Sequence, residues 1–282
     1  MPALRKETVV EDFSPSATLN WLRCPVYHRY TSVDRWAPRL LGKKDFAALV
    51  GEGVHTGLAW LYGTVWSEDG QDAAAAGSRV MAARWRAWVA EGRTWPTAPK
   101  DLTHSLSEWQ QEAGHMIRAY AKKNDPIGET FATELTLGRG RIDWLGKIAG
   151  EWAVVDFKTK RTVADRYRIP MIEDVHYAWP LYDYLWRASE YVKEPVRLAI
   201  TEFVIGDPFE VVRESLRVTE DQMIRWQAQA TLILNRMSDV PHENWTRCWN
   251  FGFGAPCDFL TACWQDGGTP NPLEYVKETS RA

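Results

Sequence analysis

At 282 residues, with 45% hydrophobic and 25% charged side chains, the chain has the composition of a folded globular protein and not of a disordered or fibrous one. Its 34 Lys and Arg against 37 Asp and Glu give a net charge of −3, which excludes a globally basic surface and confines any polyanion contact to local patches. No apolar run approaches the ~18–20 residues that cross a bilayer, and the polar, acidic stretch from Met1 to Ser16 lacks signal-peptide character. The expectation is a cytoplasmic protein with no membrane partner, folded as one domain over 1–282.

In chain order, Ser14-Pro15-Ser16 followed by Ala17, Leu19, Leu22 and Val26 predicts a capped helix that ends near Tyr30. Helices are expected over Lys44–Tyr62, Ala73–Glu91 and His104–Lys123, with a proline-containing loop over Gly92–Asp101. The period then changes. Thr130–Leu137, Arg139–Ile148 and Trp152–Lys158 are short, rich in β-branched and aromatic residues and punctuated by glycine, as strands are. A helix follows over Glu173–Glu190, then strands over Val196–Ile205 and Phe209–Val218, and Thr219-Glu-Asp-Gln222 is a capping box that opens a helix to about Met237. Strands and helices in this order predict an α/β core with a mixed sheet flanked by helices, the catalytic strands and helix spanning about 128–218 and a helical insertion about 67–123. The tail over 265–282, with Gly267-Gly268, Pro270 and Pro272, is expected to be loosely ordered. Sixteen tryptophans are many for this length; core packing and base stacking both use that residue.

The chemistry concentrates in Gly140-Arg-Ile-Asp143 and Val154-Val-Asp156-Phe-Lys158-Thr159. If Ala149-Gly150 is a two-residue turn, Ile148 faces Glu151 and Asp143 comes opposite Asp156, with Cβ atoms about 4.5–5.5 Å apart. Like charges so placed destabilise a sheet unless a cation lies between them. Lys158, two residues past Asp156, shares its face. Carboxylates plus water suit Mg²⁺ or Mn²⁺, which polarises a phosphate and activates water, with Lys158 orienting that water or neutralising the developing charge. Glu134, in Thr133-Glu134-Leu135, is a further candidate ligand or water-holder. Asp156 and Lys158 also read as a plain surface ion pair, but Val154, Val155 and Phe157 make the strand look buried, where unpaired charge is costly.

These segments resemble the second and third motifs of the RecB/Cas4-type branch of PD-(D/E)XK nucleases, which implies a restriction-endonuclease-like core. That branch places a histidine on an N-terminal helix among glycines, and Gly51-Glu-Gly-Val-His55-Thr-Gly57 is similar, so the resemblance makes His55 a metal ligand. Independently, each glycine inside a helix costs about 1 kcal/mol relative to alanine, which implies a close approach near His55. The family's Gln-x-x-x-Tyr signature resembles Ala178-Trp-Pro-Leu-Tyr182: the tyrosine is present, the glutamine is replaced by Ala178, and His176 is the nearest substitute. Tyr182 reads equally as core. Arg139 and Arg141 beside the acids, and Lys160, Arg161, Arg166 and Arg168 after them, are candidate phosphate contacts or solvated surface.

The four cysteines are Cys24, Cys248, Cys257 and Cys263. One near one end and three near the other is a poor disulfide pattern, and four thiolates form the ligand set of a [4Fe–4S] cluster or a structural Zn²⁺. The paired Cys-x₂-Cys knuckles of zinc ribbons are absent. The layout resembles the iron–sulfur nucleases of the AddB and Cas4 type, with a longer middle spacing than their common form, and implies a clasp joining Cys24 to residues 248–263. What the resemblance implies in sum is a metal-dependent DNA exonuclease acting on a free end or single strand in recombination, repair or phage DNA processing. A Cas4-like end-processing factor working with protein partners, or as a homo-oligomer, and a catalytically lapsed DNA-binding module are the alternatives.

Overall fold

The computed structural model describes residues 15–94, 105–162, 175–237, 259, 263, 270 and 274–278. It opens with two short helices, α1 (Pro15–Arg23) and α2 (Pro25–His28), broken at Cys24, whose extended backbone (φ −162°) leaves Pro25 to start α2 where its missing N–H is harmless. A π-helical turn over Arg29–Val33 leads into the short strand β1 (Trp36–Pro38). Three long helices follow: α3 (Lys43–Gly63), α4 (Gln71–Ala90) and α5 (Leu106–Lys123). Then come β2 (Glu129–Leu137), β3 (Gly140–Ile148), β4 (Glu151–Thr162), α6 (Val175–Val192), β5 (Leu198–Asp207), β6 (Glu210–Arg217), α7 (Glu220–Met237) and β7 (Tyr275–Lys277). Helices and strands of the α/β core fall where the hydrophobic period places them, within a few residues at each end. The expected box opens α7: Thr219 N–H donates to Gln222 Oε1 at 2.8 Å and Gln222 N–H to Thr219 Oγ1 at 3.3 Å.

The main sheet has five strands in the order β2-β3-β4-β5-β6. All neighbours are antiparallel except β4 and β5, which are parallel and joined by the crossover through α6. Alternation along β4 divides the core. Ala153, Val155 and Phe157 pack with Trp144 and with Phe46, Leu58, Trp109 and Tyr120 of α3 and α5, while Val154 packs with Ile142, Ala199 and with Leu181, Leu185 and Trp226 of α6 and α7. The helices within 67–123 thus complete one of two helical layers over a buried sheet. Tryptophan mostly serves this core: Trp60 is the one exposed tryptophan among the described residues.

The glycines of α3 set how closely that layer packs. A Cβ on Gly77 would lie 2.4 Å from the carbonyl oxygen of Gly53, and one on Gly57 would lie 2.4 Å from Ile117 Cδ1. Behind them, Tyr62 and Tyr120 share a 2.8 Å hydrogen bond and Tyr120 Oη donates to the fully buried Glu202 of β5 at 2.5 Å, with Arg213 pairing the other Glu202 oxygen. Burial pushes the Tyr62 hydroxyl up to about 12, so it stays a neutral donor.

Within the tail, Tyr275–Lys277 pairs antiparallel with β1, Trp36 opposite Lys277, while 265–269, 271–273 and 279–282 lie outside the described residues. The cause is long-range: Tyr275 stacks on Phe259 with centroids 5.1 Å apart, and the next residue, Glu278, is 5% exposed and paired at 3.4 Å with buried Arg93. Arg93 also holds Asp45 at 3.0 Å, tying the tail to the start of α3.

Gly77→Ala is expected to destabilise the protein by about 1–3 kcal/mol, because forced separation of α3 and α4 outweighs the ~1 kcal/mol gain in helix propensity. Urea unfolding followed by circular dichroism measures it; a midpoint equal to or above wild type would show that the two helices can move apart at no cost.

Candidate metal centre

The β3–β4 hairpin turns at Ala149-Gly150, both with positive φ (51° and 83°), the conformation of a two-residue turn whose twist matches its strands. From Ile148↔Glu151 the register runs to Trp144↔Val155 and ends there, one pair short of Asp143 and Asp156. Asp143 terminates the ladder itself: its Oδ2 accepts the Phe157 N–H at 2.8 Å, a donor that an unbroken ladder would give to a β3 carbonyl. Both acids are nearly enclosed, 7% and 5% exposed. Asp156 is clamped by Lys158, whose Nζ lies 2.8 Å from Oδ1 and 2.7 Å from Oδ2.

His55 reaches the same place from α3. Its Nδ1 lies 3.4 Å from Asp143 Oδ2, and its ring meets Phe157 edge-on at 6.3 Å. The approach explains Gly51, one turn earlier, where a Cβ would already stand 3.0 Å from Thr159 Oγ1 of β4. Burial alone would lower the His55 imidazole, but the hydrogen bond and charge of Asp143 outweigh it and hold its pKa above the ordinary value. Asp143 is lowered in return: burial opposes this, and His55, Lys158 and the Phe157 N–H overcome it. Asp156 is raised, because burial and the neighbouring Asp143 outweigh Lys158.

Glu134 enters from β2, between the pairs Thr133↔Trp144 and Leu135↔Ile142, level with Asp143. Its backbone is left-handed, φ 50°, a conformation that costs a non-glycine residue about 1–3 kcal/mol and clusters at functional sites. One oxygen, Oε2, pairs with Arg141 Nε at 2.9 Å; the other, Oε1, is enclosed and accepts no hydrogen bond. Burial raises its pKa despite Arg141. Ligand atoms of His55, Glu134 and Asp143 lie within 4.8 Å of one another. One imidazole nitrogen and two carboxylates, with an orphaned enclosed oxygen among them, fit a divalent cation.

The motif glycine before Asp143 also has a physical cause. A Cβ on Gly140 would lie 2.8 Å from Arg187 Nε, where the fully buried Arg187–Asp183 pair of α6 (2.8 Å) presses on the β2–β3 turn and Arg187 Nη1 donates to the Leu137 carbonyl at 2.5 Å. Asp183 is pushed up to about 6, chiefly by burial. The tyrosine of α6 singled out in the sequence lies elsewhere. Tyr182 stacks on Trp226 of α7 at 6.3 Å, while Tyr184 is the tyrosine whose ionisation Asp156 and Asp143 oppose, after burial, pushing its hydroxyl well above 10. The two residues leave a helix on opposite faces, so spacing alone could not choose between them. Ala178 is buried, and no side chain at that position supplies an amide. Arg139 and Arg141 are exposed and Lys160 is half-buried. Arg166 and Arg168, and the side chains of Arg161 and His176, lie outside the described residues.

At the other end, Cys24 is 4% exposed in a cluster with Val26, Tyr30, Phe259 and Tyr275, and Cys263 packs against the same cluster. Cys248 and Cys257 lie outside the described residues.

Without metal, the His55–Asp143 pair has a defined pH window. The raised histidine contributes stability that is lost as pH rises through its folded pKa, and the lowered aspartate contributes stability lost as pH falls below ~4. A metal ligand must be neutral imidazole. Mn²⁺ binding near pH 6.5 is therefore expected to release a proton, read by titration calorimetry in buffers of different ionisation enthalpy. The release should shrink as pH rises and vanish in His55→Ala; a wild-type enthalpy independent of buffer would remove His55 from the site.

The family model of the PD-(D/E)XK nuclease superfamily matches residues 12–264. No curated protein matches the chain. Seven solved chains do, among them the crystal structure of SSO0001, 15% identical, with 89% of this chain and 97% of that chain covered and a TM-score of 0.27. Among the described residues no helix is long and apolar enough to cross a membrane. With a family match over most of its length and a mixed sheet whose central hairpin gathers acids, lysine and histidine at one point, the chain belongs to the PD-(D/E)XK nuclease superfamily.

Proposed function

We propose that this protein is a Mg²⁺- or Mn²⁺-dependent DNA exonuclease of the RecB/Cas4-like branch, hydrolysing phosphodiester bonds at a free end or in a single strand during recombination, repair or phage DNA processing. The observation that carries this reading is the convergence of His55, Asp143 and Glu134 within 4.8 Å, beside an Asp156 already bound to Lys158. His55, Asp143 and Glu134, with Asp156 beside them, are the residues that would hold the cation. When bound, it supplies Lewis-acid polarisation of the phosphate and of water.

The remaining work falls to the protein's own side chains. Water attacks phosphorus, the bond to one ester oxygen breaks, and that oxygen leaves with a proton. Lys158, its side chain 38% exposed and its Nζ anchored on Asp156, orients the attacking water and neutralises charge gathering on the phosphoryl oxygens. Asp143 and Phe157 are locked together through the Phe157 N–H, so the acid cannot swing away when the substrate arrives. Tyr184 of α6 stays protonated, its ionisation opposed by burial and by Asp156 and Asp143.

The test is cleavage of end-labelled single- and double-stranded DNA, and of circular DNA, by anaerobically purified protein with Mg²⁺ or Mn²⁺. Asp156→Ala and Lys158→Ala are each expected to lower the rate at least about a hundredfold, the scale of losing a charge-stabilising group. Activity on circles would replace the exonuclease by an endonuclease. Metal binding without any cleavage favours the lapsed DNA-binding module, for which buried Ala178 at the family's glutamine position is the supporting observation; cleavage appearing only with added protein partners favours a Cas4-like processing factor.

We further infer that Cys24, Cys248, Cys257 and Cys263 hold a [4Fe–4S] cluster as a structural clasp. Support comes from Cys24 and Cys263, brought from distant parts of the sequence into one aromatic cluster. Such a group ties distant segments and removes unfolded-chain entropy. Iron and acid-labile sulfide are expected in the anaerobically purified protein, lost together with thermal stability in Cys24→Ser; stoichiometric zinc in place of iron would make the site a structural Zn²⁺ centre.

A further inference from the structure

Beyond the acids and the lysine, one arrangement at the mouth of the centre has no role yet. Glu134 is two-sided: Oε2 holds the Arg141 guanidinium at 2.9 Å while Oε1 is enclosed and unpartnered. Its left-handed backbone interrupts β2 at the level of Asp143, at a conformational cost that ordinary strand geometry would avoid. Arg141 is half in solvent, its side chain 56% exposed, and its other guanidinium N–H groups make no further hydrogen bond among the described residues. It stands two residues from Asp143 and within electrostatic reach of Tyr184. A carboxylate that contacts a cation site on one side and fixes an arginine on the other makes a rigid link between them. A planar guanidinium with several unused donors is the group best shaped for a phosphate.

We propose that Arg141 grips a backbone phosphate of the DNA next to the scissile bond and is aimed there by Glu134, so that filling the metal centre and gripping the substrate are a single linked event. The proposal rests on the nuclease reading above. In it, Glu134 is a positioning residue for Arg141 as well as a member of the cation site. A cation in the centre would fix the Glu134 carboxylate through Oε1 and, through Oε2, would hold the Arg141 guanidinium where a phosphate beside the site comes within its reach. DNA binding should then depend on the metal, and the metal on DNA, by the same factor.

The experiment uses Lys158→Ala as the parent, so that binding is read without cleavage. Fluorescence anisotropy of labelled single-stranded DNA is measured with Mg²⁺ and with EDTA over a range of salt, and Mg²⁺ binding without DNA is measured by calorimetry. Mg²⁺ is expected to tighten DNA binding by the parent. Adding Arg141→Ala should weaken it about tenfold with Mg²⁺, lower the salt slope by about one, and change little in EDTA. Glu134→Gln should weaken Mg²⁺ binding and remove most of the Arg141 effect, so that the double variant is far from additive. Arg141→Lys should recover only part of the affinity, since an ammonium lacks the planar fork. An Arg141→Ala variant with unchanged affinity and slope overturns the proposal, as does a loss of equal size with and without Mg²⁺ or in the Glu134→Gln background, which would make Arg141 a plain surface contact. A parent that binds neither Mg²⁺ nor DNA overturns the nuclease reading itself and this inference with it.

Discussion

Two carboxylates on neighbouring strands of a buried sheet repel each other, and relieving that repulsion organises the centre of this molecule. Asp143 and Asp156 belong where the β3–β4 ladder would continue, in an environment that penalises charge. The structure answers with three separate cationic or donor contacts. Lys158 takes Asp156, while His55 and the Phe157 N–H both reach Asp143 Oδ2. Each answer requires a different element, so the acid pair fixes the placement of α3 against the sheet and the end of strand pairing together.

The same constraint explains why the helical layer packs as tightly as it does. His55 sits one turn beyond Gly51 and between Gly53 and Gly57, and the contacts a Cβ would meet there come from β4, α4 and α5 respectively. Bringing one histidine to an acid on the sheet thus costs α3 its side chains on the faces it presses against. On that side the Tyr62–Tyr120 chain of neutral hydroxyls reaches one oxygen of the fully buried Glu202, and Arg213 pairs the other.

Much of this was legible in the sequence because it is local. A two-residue turn at Ala149-Gly150 and a period of two fix which residues of β3 and β4 share a face, and three glycines around one histidine signal close contact before any coordinate is known. Three features were not legible, each for a long-range reason. Glu134 was visible as a nearby acid, but its left-handed backbone arises where β2 meets Asp143. Tyr182 matched a family spacing, yet packing of α6 against α7 takes it to Trp226 and gives the acids Tyr184. The tail carried the composition of a loose segment, and only a partner strand far away in the sequence, with Arg93 beneath Glu278, makes Tyr275–Lys277 a strand.

That last pairing bears on how the molecule is made. The ribosome delivers β1 and the Cys24–Tyr30 segment first and β7 after the entire sheet. At ~5–20 residues per second, Val26 and Tyr30 wait roughly ten to fifty seconds for the aromatic residues that cover them. Throughout that interval the emerging chain carries a sticky, thiol-bearing segment without its aromatic cover, which is the period in which chaperone capture and thiol chemistry act on it.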